Sequence, residues 1–307
     1  MRMIVLGAAA GGGFPQWNCN CSNCRRAREG DPAALPRTQS SLAVTADGKR
    51  WLLLNASPDL RQQLHATRAL HPRDSLRHSP LAAVLVTNGD VDHIGGLLDL
   101  REGQPLSLYA SARVHALLDG NRVFDVLDRD VVARRMLALD RTVEIADAAG
   151  EPIGLGVQAF AVPGKVALYM EEQGAALAGE AGDTVAVRLI DQARGSEAFY
   201  VPNCAHIDAT LAQRLDRASV VFFDGTLFRD DEMLQAGLGA KTGRRMGHVS
   251  MSGPDGAIAG FEGLDVGRKI FVHVNNSNPA LLSDSAERRE VEAAGWEIAY
   301  DGMEVEA

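Results

Sequence analysis

The sequence predicts an α/β fold, of the α+β kind, with two mixed sheets packed face to face and helices outside. Three observations carry this. Short apolar runs of strand length recur between glycine-rich and polar stretches. They come in two batches, each with helical stretches appended, which suits two packed sheets better than one alternating parallel sheet. No repeat with a period of about 20–50 residues interrupts the chain, and no flexible linker does either, so residues 1–307 are read as a single domain.

The elements follow in order. Met3 to Leu6 is a first short strand, and Gly7 to Gly13 a loop of small residues. That loop lacks the phosphate-loop pattern and is a poor dinucleotide fingerprint; close backbone approach explains its glycines equally well. Ser41 to Ala46 and Arg50 to Asn55 form a hairpin around Asp47-Gly48. Asp59 to Leu70 has partial helical spacing, with Leu60 and Leu64 on one face. A strand at 81–87 precedes a short helix near Ile94 to Leu100, a strand at Leu106 to Tyr109 and a helix at Ser111 to Leu118. The middle is strand-rich: Thr142 to Ile145, Gly154 to Val162, Thr184 to Ile190 and Ala198 to Val201. A helix at 207–217 leads to strand Ser219 to Phe223. Strand Lys269 to Val274, helix Ser285 to Ala294 and strand Trp296 to Tyr300 complete the series.

Composition narrows the function classes. Of 307 residues, 46% are hydrophobic and 23% charged, which places the chain among folded globular proteins. A net charge of -9 argues against a nucleic-acid surface, which needs a basic patch. No run of about 18 apolar residues suits a membrane-spanning helix, and the apolar stretch after Met1-Arg2 is too short for a signal peptide. A cytoplasmic location is expected.

Several clusters carry chemistry. Thr87-Asn88-Gly89-Asp90-Val91-Asp92-His93-Ile94-Gly95-Gly96 follows the apolar run Leu81 to Val86. Asp90, Asp92 and His93 thus gather at the end of a buried strand, a donor mixture that suits iron, zinc or manganese. The competing reading has Asp92 capping the next helix, with Asn88 and Asp90 as turn residues. His273 ends another apolar strand, as does Asp224, which is a candidate ligand or a carboxylate that orients a ligand histidine. His248, in a polar loop, is a candidate ligand, acid/base or substrate contact, or simply an exposed histidine. Cys19, Cys21 and Cys24 are soft donors suited to a closed zinc site that needs a fourth ligand. Cys204 reads as a small buried residue rather than that ligand; His206 stays undecided.

The Asn88-Gly89-Asp90-Val91-Asp92-His93 stretch resembles the H-x-H-x-D-H signature of the metallo-β-lactamase superfamily, with both leading histidines absent. The resemblance implies a four-layer αββα sandwich. It also matches Asp92, His93 and His273 to the superfamily's second metal site, and puts Asn203 in place of its bridging aspartate. The mid-chain histidine has no match, since Val162-Pro163-Gly164-Lys165 occupies that region. One metal is therefore expected where the superfamily holds two. More closely, the chain resembles a family of pyrroloquinoline quinone (PQQ) biosynthesis proteins. The resemblance runs through Gly11 to Cys19, the stretch from Thr87 to Gly96, Phe222 to Thr226, Met246 to Ser250 and Phe271 to Pro279.

This second resemblance implies a non-haem Fe(II) oxygenase that hydroxylates the tyrosine ring of a Glu-Tyr cross-linked intermediate derived from the PqqA peptide. Two histidines and one carboxylate leave positions open on Fe(II), and zinc also fits them. Asp90, Asp224 and His248 would then hold polar groups of the substrate or move protons. The alternatives are a carrier of PQQ or its precursor towards the periplasm, and a zinc hydrolase. The cysteine cluster resembles that of the phosphodiesterase PhnP, where a histidine three residues after the last active-site histidine completes a structural zinc site; here that position is Asn276. The partners expected are the small Glu-Tyr-derived substrate or PQQ, and a second copy of the chain in a homodimer. Neither nucleic acid nor a membrane span is expected.

Overall fold

The computed structural model of the chain describes residues 1–165, 169 and 179–307. The first six strands are β1 (Arg2–Gly7), β2 (Ser41–Thr45), β3 (Trp51–Leu54), β4 (Leu81–Leu85), β5 (Leu106–Ala110) and β6 (Val132–Met136). They lie side by side in chain order, antiparallel across β1-β2-β3 and parallel from β3 to β6. The next seven are β7 (Thr142–Ala146), β8 (Pro152–Ala161), β9 (Val185–Asp191), β10 (Glu197–Val201), β11 (Val220–Asp224), β12 (Arg268–Val272) and β13 (Trp296–Ile298). They too lie in chain order, antiparallel from β7 to β10 and parallel from β10 to β13. The last strand, β14 (Glu304–Glu306), returns to the first sheet and pairs with β1.

Helices cover both outer faces. They are α1 (Ser22–Arg28), α2 (Leu60–Ala66), α3 (Val91–Ile94), α4 (Ala112–Gly120), α5 (Ala209–Leu215), α6 (Glu232–Gln235), α7 (Gly243–Met246), α8 (Ala257–Gly260) and α9 (Ala286–Ala293). Three apolar cores result. Val5, Leu54, Leu85, Tyr109, Leu189, Phe222 and Ile270 meet between the sheets. Leu53, Val84 and Leu108 face Leu60, Val114 and Leu118 outside the first sheet. Val221, Phe223 and Phe271 face Leu211, Ala257 and Val291 outside the second. Alternate residues of one strand thus enter different cores, which is why β4 and β11 read as unbroken apolar runs. The expected αββα sandwich is what forms. Among the described residues, no helix is long and apolar enough to cross a membrane.

The departures from the expected elements have local causes. The helix expected over 59–70 stops at Ala66, because Thr67 takes an extended conformation before a short 3₁₀ turn at Arg68–Leu70. The helix expected near Ile94 starts earlier, at Val91, and Gly95-Gly96 converts it into a 3₁₀ stretch over Gly95–Arg101. Strand β6 was not expected: Val132-Ala133-Arg134-Arg135-Met136 is an edge strand, only partly buried, and lacks the apolar signal of a central one.

Two short bridges join the sheets where the site lies. Ala9 pairs with both Gln39 and Val274, and Asn88 pairs with Thr184. The small-residue loop after β1 serves this approach. A Cβ on Gly11 would stand 3.4 Å from Asp92 Oδ2, and Gly12 has a φ of 90°, which favours glycine.

Candidate metal centre

The site forms at the C-terminal ends of β4, β11 and β12. Asp92 and His93 sit in α3, which hydrogen bonds clamp to the segment after β3: Ala56 N–H donates to His93 O (2.8 Å), and Gly96 N–H to Ala56 O (2.9 Å). Gly96 is required there, since a Cβ would stand 2.0 Å from Ser57 O. Asp90 ends the loop before α3 without capping it through its side chain, and Asp92 lies inside the first turn, so neither carboxylate is spent on a cap.

His93 is fully buried. Its Nδ1–H donates to Asn88 Oδ1 (2.7 Å), and the Asn88 amide is itself held, donating to Asp90 Oδ2 and Asn203 Oδ1 (3.1 Å each). Nε2 of His93 has no hydrogen-bond partner among the described residues. A few other buried polar atoms also lack a hydrogen-bond partner, Trp51 Nε1 and Asn55 Nδ2 among them. His93 Nε2 is the one set beside a carboxylate and a second imidazole at ligand distance, which marks a site for an ion. Burial pushes this imidazole down to about 4 despite the nearby Asp92 charge, so at neutral pH Nε2 presents a lone pair.

His273 follows β12 with a φ of 57°, a conformation costly for a residue with a Cβ. Its Nε2 lies 2.9 Å from Asp92 Oδ2. Burial disfavours the imidazolium, but the hydrogen bond to Asp92 and the charges of Asp92, Asp224 and Asp90 outweigh it and raise the pKa. Burial likewise opposes an ionised Asp92, yet the charges and contact of His93 and His273 hold it well below the usual carboxylate range. The donor atoms of Asp92, His93 and His273 lie within 4.8 Å of one another. Two imidazoles and one carboxylate, one nitrogen lacking any partner, fit a single transition-metal ion.

Asp224 and His248 adjoin this set. His248 stacks on His273, ring centroids 5.2 Å apart, so it is not a free loop histidine. Its Nδ1–H donates to Asp224 Oδ2 (2.7 Å), leaving Nε2 as the nitrogen on the cavity side. Of the roles the sequence left open for Asp224, the geometry favours orienting a histidine over direct contact with substrate. It is fully buried and already accepts hydrogen bonds from Cys204 N–H, Thr226 N–H, the Thr226 hydroxyl and His248. A carboxylate with its lone-pair directions filled holds neighbours in place rather than taking a new ligand. A cavity of about 670 Å³ opens over the site, with Asp90, Asp92, His248 and His273 on its wall together with Lys165 and Lys241.

The second cluster lies beside Asn276, three residues after His273. Sulfurs of Cys19, Cys21 and Cys24 lie within 4.8 Å of one another at the start of α1. The Asn276 carboxamide closes the group, with Nδ2 3.3 Å from Cys24 Sγ and 3.8 Å from Cys21 Sγ; a half-turn would present Oδ1 instead. Burial pushes Cys24 up to about 11. Burial also opposes ionisation of Cys19, but hydrogen bonds from Cys21, Cys24 and Asn276 outweigh it and lower its pKa. Cys204 is buried under the site and apart from this cluster, and His206 is exposed. Asn88 and Asn203 were noted in the sequence only as replacements for superfamily ligands, and Thr226 carried no signal of its own, because short polar residues at strand ends usually serve turns.

Comparisons place this geometry among known proteins. The beta-lactamase superfamily domain model matches residues 50–274. Coenzyme PQQ synthesis protein B of Methylorubrum extorquens is 51% identical over 304 residues, 99% of each chain. The protein of that name from Gluconacetobacter diazotrophicus is 54% identical over 305 residues, covering 99% of this chain and 98% of its own. A crystal structure of Zn(2+)-bound PqqB from Methylobacterium extorquens superposes with a TM-score of 0.95 at 50% identity, covering both chains fully. A diphosphatase of the PhnP family shares the fold, with a TM-score of 0.68 at 21% identity over 99% of this chain and 97% of its own. A superfamily match across most of the chain, and full-length relatives at more than half identity, show that the chain belongs to the coenzyme PQQ synthesis protein B family of the beta-lactamase superfamily.

Proposed function

We propose that the chain is a mononuclear, iron- and dioxygen-dependent hydroxylase of PQQ biosynthesis, acting on the tyrosine ring of a Glu-Tyr-derived intermediate. The observation that carries this reading is the partnerless Nε2 of His93, facing the Asp92 and His273 donors. Asp92, His93 and His273 would hold the ion. When bound, Fe(II) supplies open coordination positions and one-electron chemistry toward dioxygen.

The chain's own residues do the rest. Asn88 fixes the His93 tautomer, so that Nε2 and not Nδ1 is the donor. Where the superfamily's first site would need histidines, Asn88 donates to both Asp90 and Asn203, which supports one metal position rather than two. That weakens the hydrolase reading, in which two ions clamp the attacking oxygen. His248, held by Asp224 and facing the cavity, is placed to take or return the proton of a phenolic hydroxyl. Asp90, on the same wall, is placed to hold a polar group of the substrate. The cysteine cluster, with Asn276 as fourth donor, would hold a structural zinc.

The test is anaerobic reconstitution with Fe(II) or with Zn(II), then addition of dioxygen, a two-electron reductant such as ascorbate and the Glu-Tyr substrate, with product mass as readout; the reductant supplies the electrons that take the second oxygen atom to water. Gain of oxygen with Fe(II) alone is expected. The Zn(2+)-bound relative makes zinc the specific rival: hydrolysis with Zn(II) would favour a hydrolase, and saturable PQQ binding without turnover a carrier.

A further inference from the structure

Asp224, His248 and His273 have donor atoms within 4.8 Å of one another, and so resemble a second metal site. Following each proton through the group shows otherwise. The Thr226 hydroxyl lies at its centre, 2.7 Å from Asp224 Oδ1, 2.8 Å from His273 Nδ1, 3.0 Å from His248 Nδ1 and 3.1 Å from His273 O. A hydroxyl has one proton to donate and two lone pairs that accept. Asp224 is acceptor-only when ionised, so the Thr226 proton goes to Asp224 Oδ1. The backbone N–H groups of Cys204 and Thr226 also donate to Asp224, and His248 Nδ1–H fills the remaining direction at Oδ2. The Thr226 oxygen is then left as the acceptor for His273 Nδ1–H. Each proton in this group is used once, and Asp224 has no lone pair left for an ion; without metal a proton on His273 Nε2 faces Asp92 Oδ2, and an ion bound there would replace it.

We infer that Thr226 is a positioning residue that locks His273 in the Nδ1–H tautomer, with Nε2 as its metal-binding nitrogen, and so makes Asp224 the common anchor of a metal ligand and a cavity histidine. Asp224 reaches His248 directly and His273 through the Thr226 hydroxyl. His273, whose φ is 57°, has Thr226 on one edge of its ring and Asp92 on the other. Outer partners of this kind set the orientation and basicity of a ligand imidazole. Thr226 is largely buried, on the wall of the cavity.

The inference rests on the reading that Asp92, His93 and His273 bind metal, and its test separates the two. Metal affinity of the full chain is measured by chelator competition with Zn(II) and with Fe(II), cysteine-cluster occupancy being followed separately. Thr226→Val keeps the shape and removes the hydroxyl; Thr226→Ser keeps the hydroxyl. The valine variant is expected to bind the active-site ion about 10–100-fold more weakly, with the serine variant close to the parent. A folded valine variant that binds like the parent, or a serine variant as weak as valine, overturns the inference. A parent that binds no ion outside the cysteine cluster overturns the metal reading itself. Should the valine variant fail to fold, histidine ring ¹⁵N shifts of the zinc-loaded parent decide. Protonated Nδ1 and metallated Nε2 on His273 support the assignment, and the reverse contradicts it.

Discussion

At the residue scale, the site depends on which nitrogen of each histidine is free. Asn88 settles this for His93 through a 2.7 Å hydrogen bond, although it occupies a position where the superfamily signature has a histidine. Asn88→Leu should therefore weaken the active-site metal by about 10–100-fold, read by chelator competition, while the cysteine cluster keeps its own ion. The thiols invite a second prediction. In chelator-treated protein near neutral pH, Cys19 should alkylate first, because its lowered pKa gives it the larger thiolate fraction; Cys24, pushed up to about 11 by burial, should lag. Timed alkylation with peptide mapping checks the order. The candidate donors were legible in the sequence, since carboxylates and histidines at the ends of apolar runs stand out. Their supporting partners were not. Thr226 and Asn203 acquire their roles only when separate strands bring them against His273 and Asn88.

At the element scale, the site is a property of strand ends. Strands β4, β11 and β12 are apolar on both faces and end together, so the first polar residues after each converge. Helix α3 is too short to hold its own orientation by helical hydrogen bonding, which makes its clamp to Ala56 decisive. Gly96→Ala pushes a Cβ to 2.0 Å from Ser57 O and must move that clamp. A loss of about 1–3 kcal/mol in stability is expected from such overpacking, together with weaker metal binding, measured by denaturant unfolding and by competition. A stable variant with parental affinity would show that α3 tolerates displacement. The buried strands were legible because their apolar runs are long. The start of α3 was not, since Val91, 59% exposed, gives no helical periodicity and the two glycines mask the turn.

At the scale of the whole molecule, two sheets of similar topology meet over one core, and their bridges at Ala9 and Asn88 flank the cavity. Asn23 ties α1 to the loop after His273, donating to the carbonyls of Asn276, Ser277 and Asn278 at 3.1 Å each. The cysteine cluster is thus fastened to the segment that carries His273. Phe222→Ala, in the inter-sheet core, should cost about 3–5 kcal/mol, measured by denaturant unfolding, with any surviving folded protein retaining its metal affinity. The sandwich was legible from two batches of strands. The closing of the first sheet by β14 was not, because Glu304-Val305-Glu306 is an edge strand with one buried side chain.

The central claim is that Asp92, His93 and His273 together hold a single ion, separate from the cysteine cluster. Metal content per chain, after reconstitution with excess Zn(II) and removal of loosely bound ion, tests it most directly when the parent is set beside His93→Ala, His273→Ala and Cys24→Ser. The account predicts that each histidine variant loses one equivalent and the cysteine variant loses a different one, so that a histidine–cysteine double variant loses both. Histidine variants with the full parental metal content, or a parent with two ions outside the cysteine cluster, would contradict it.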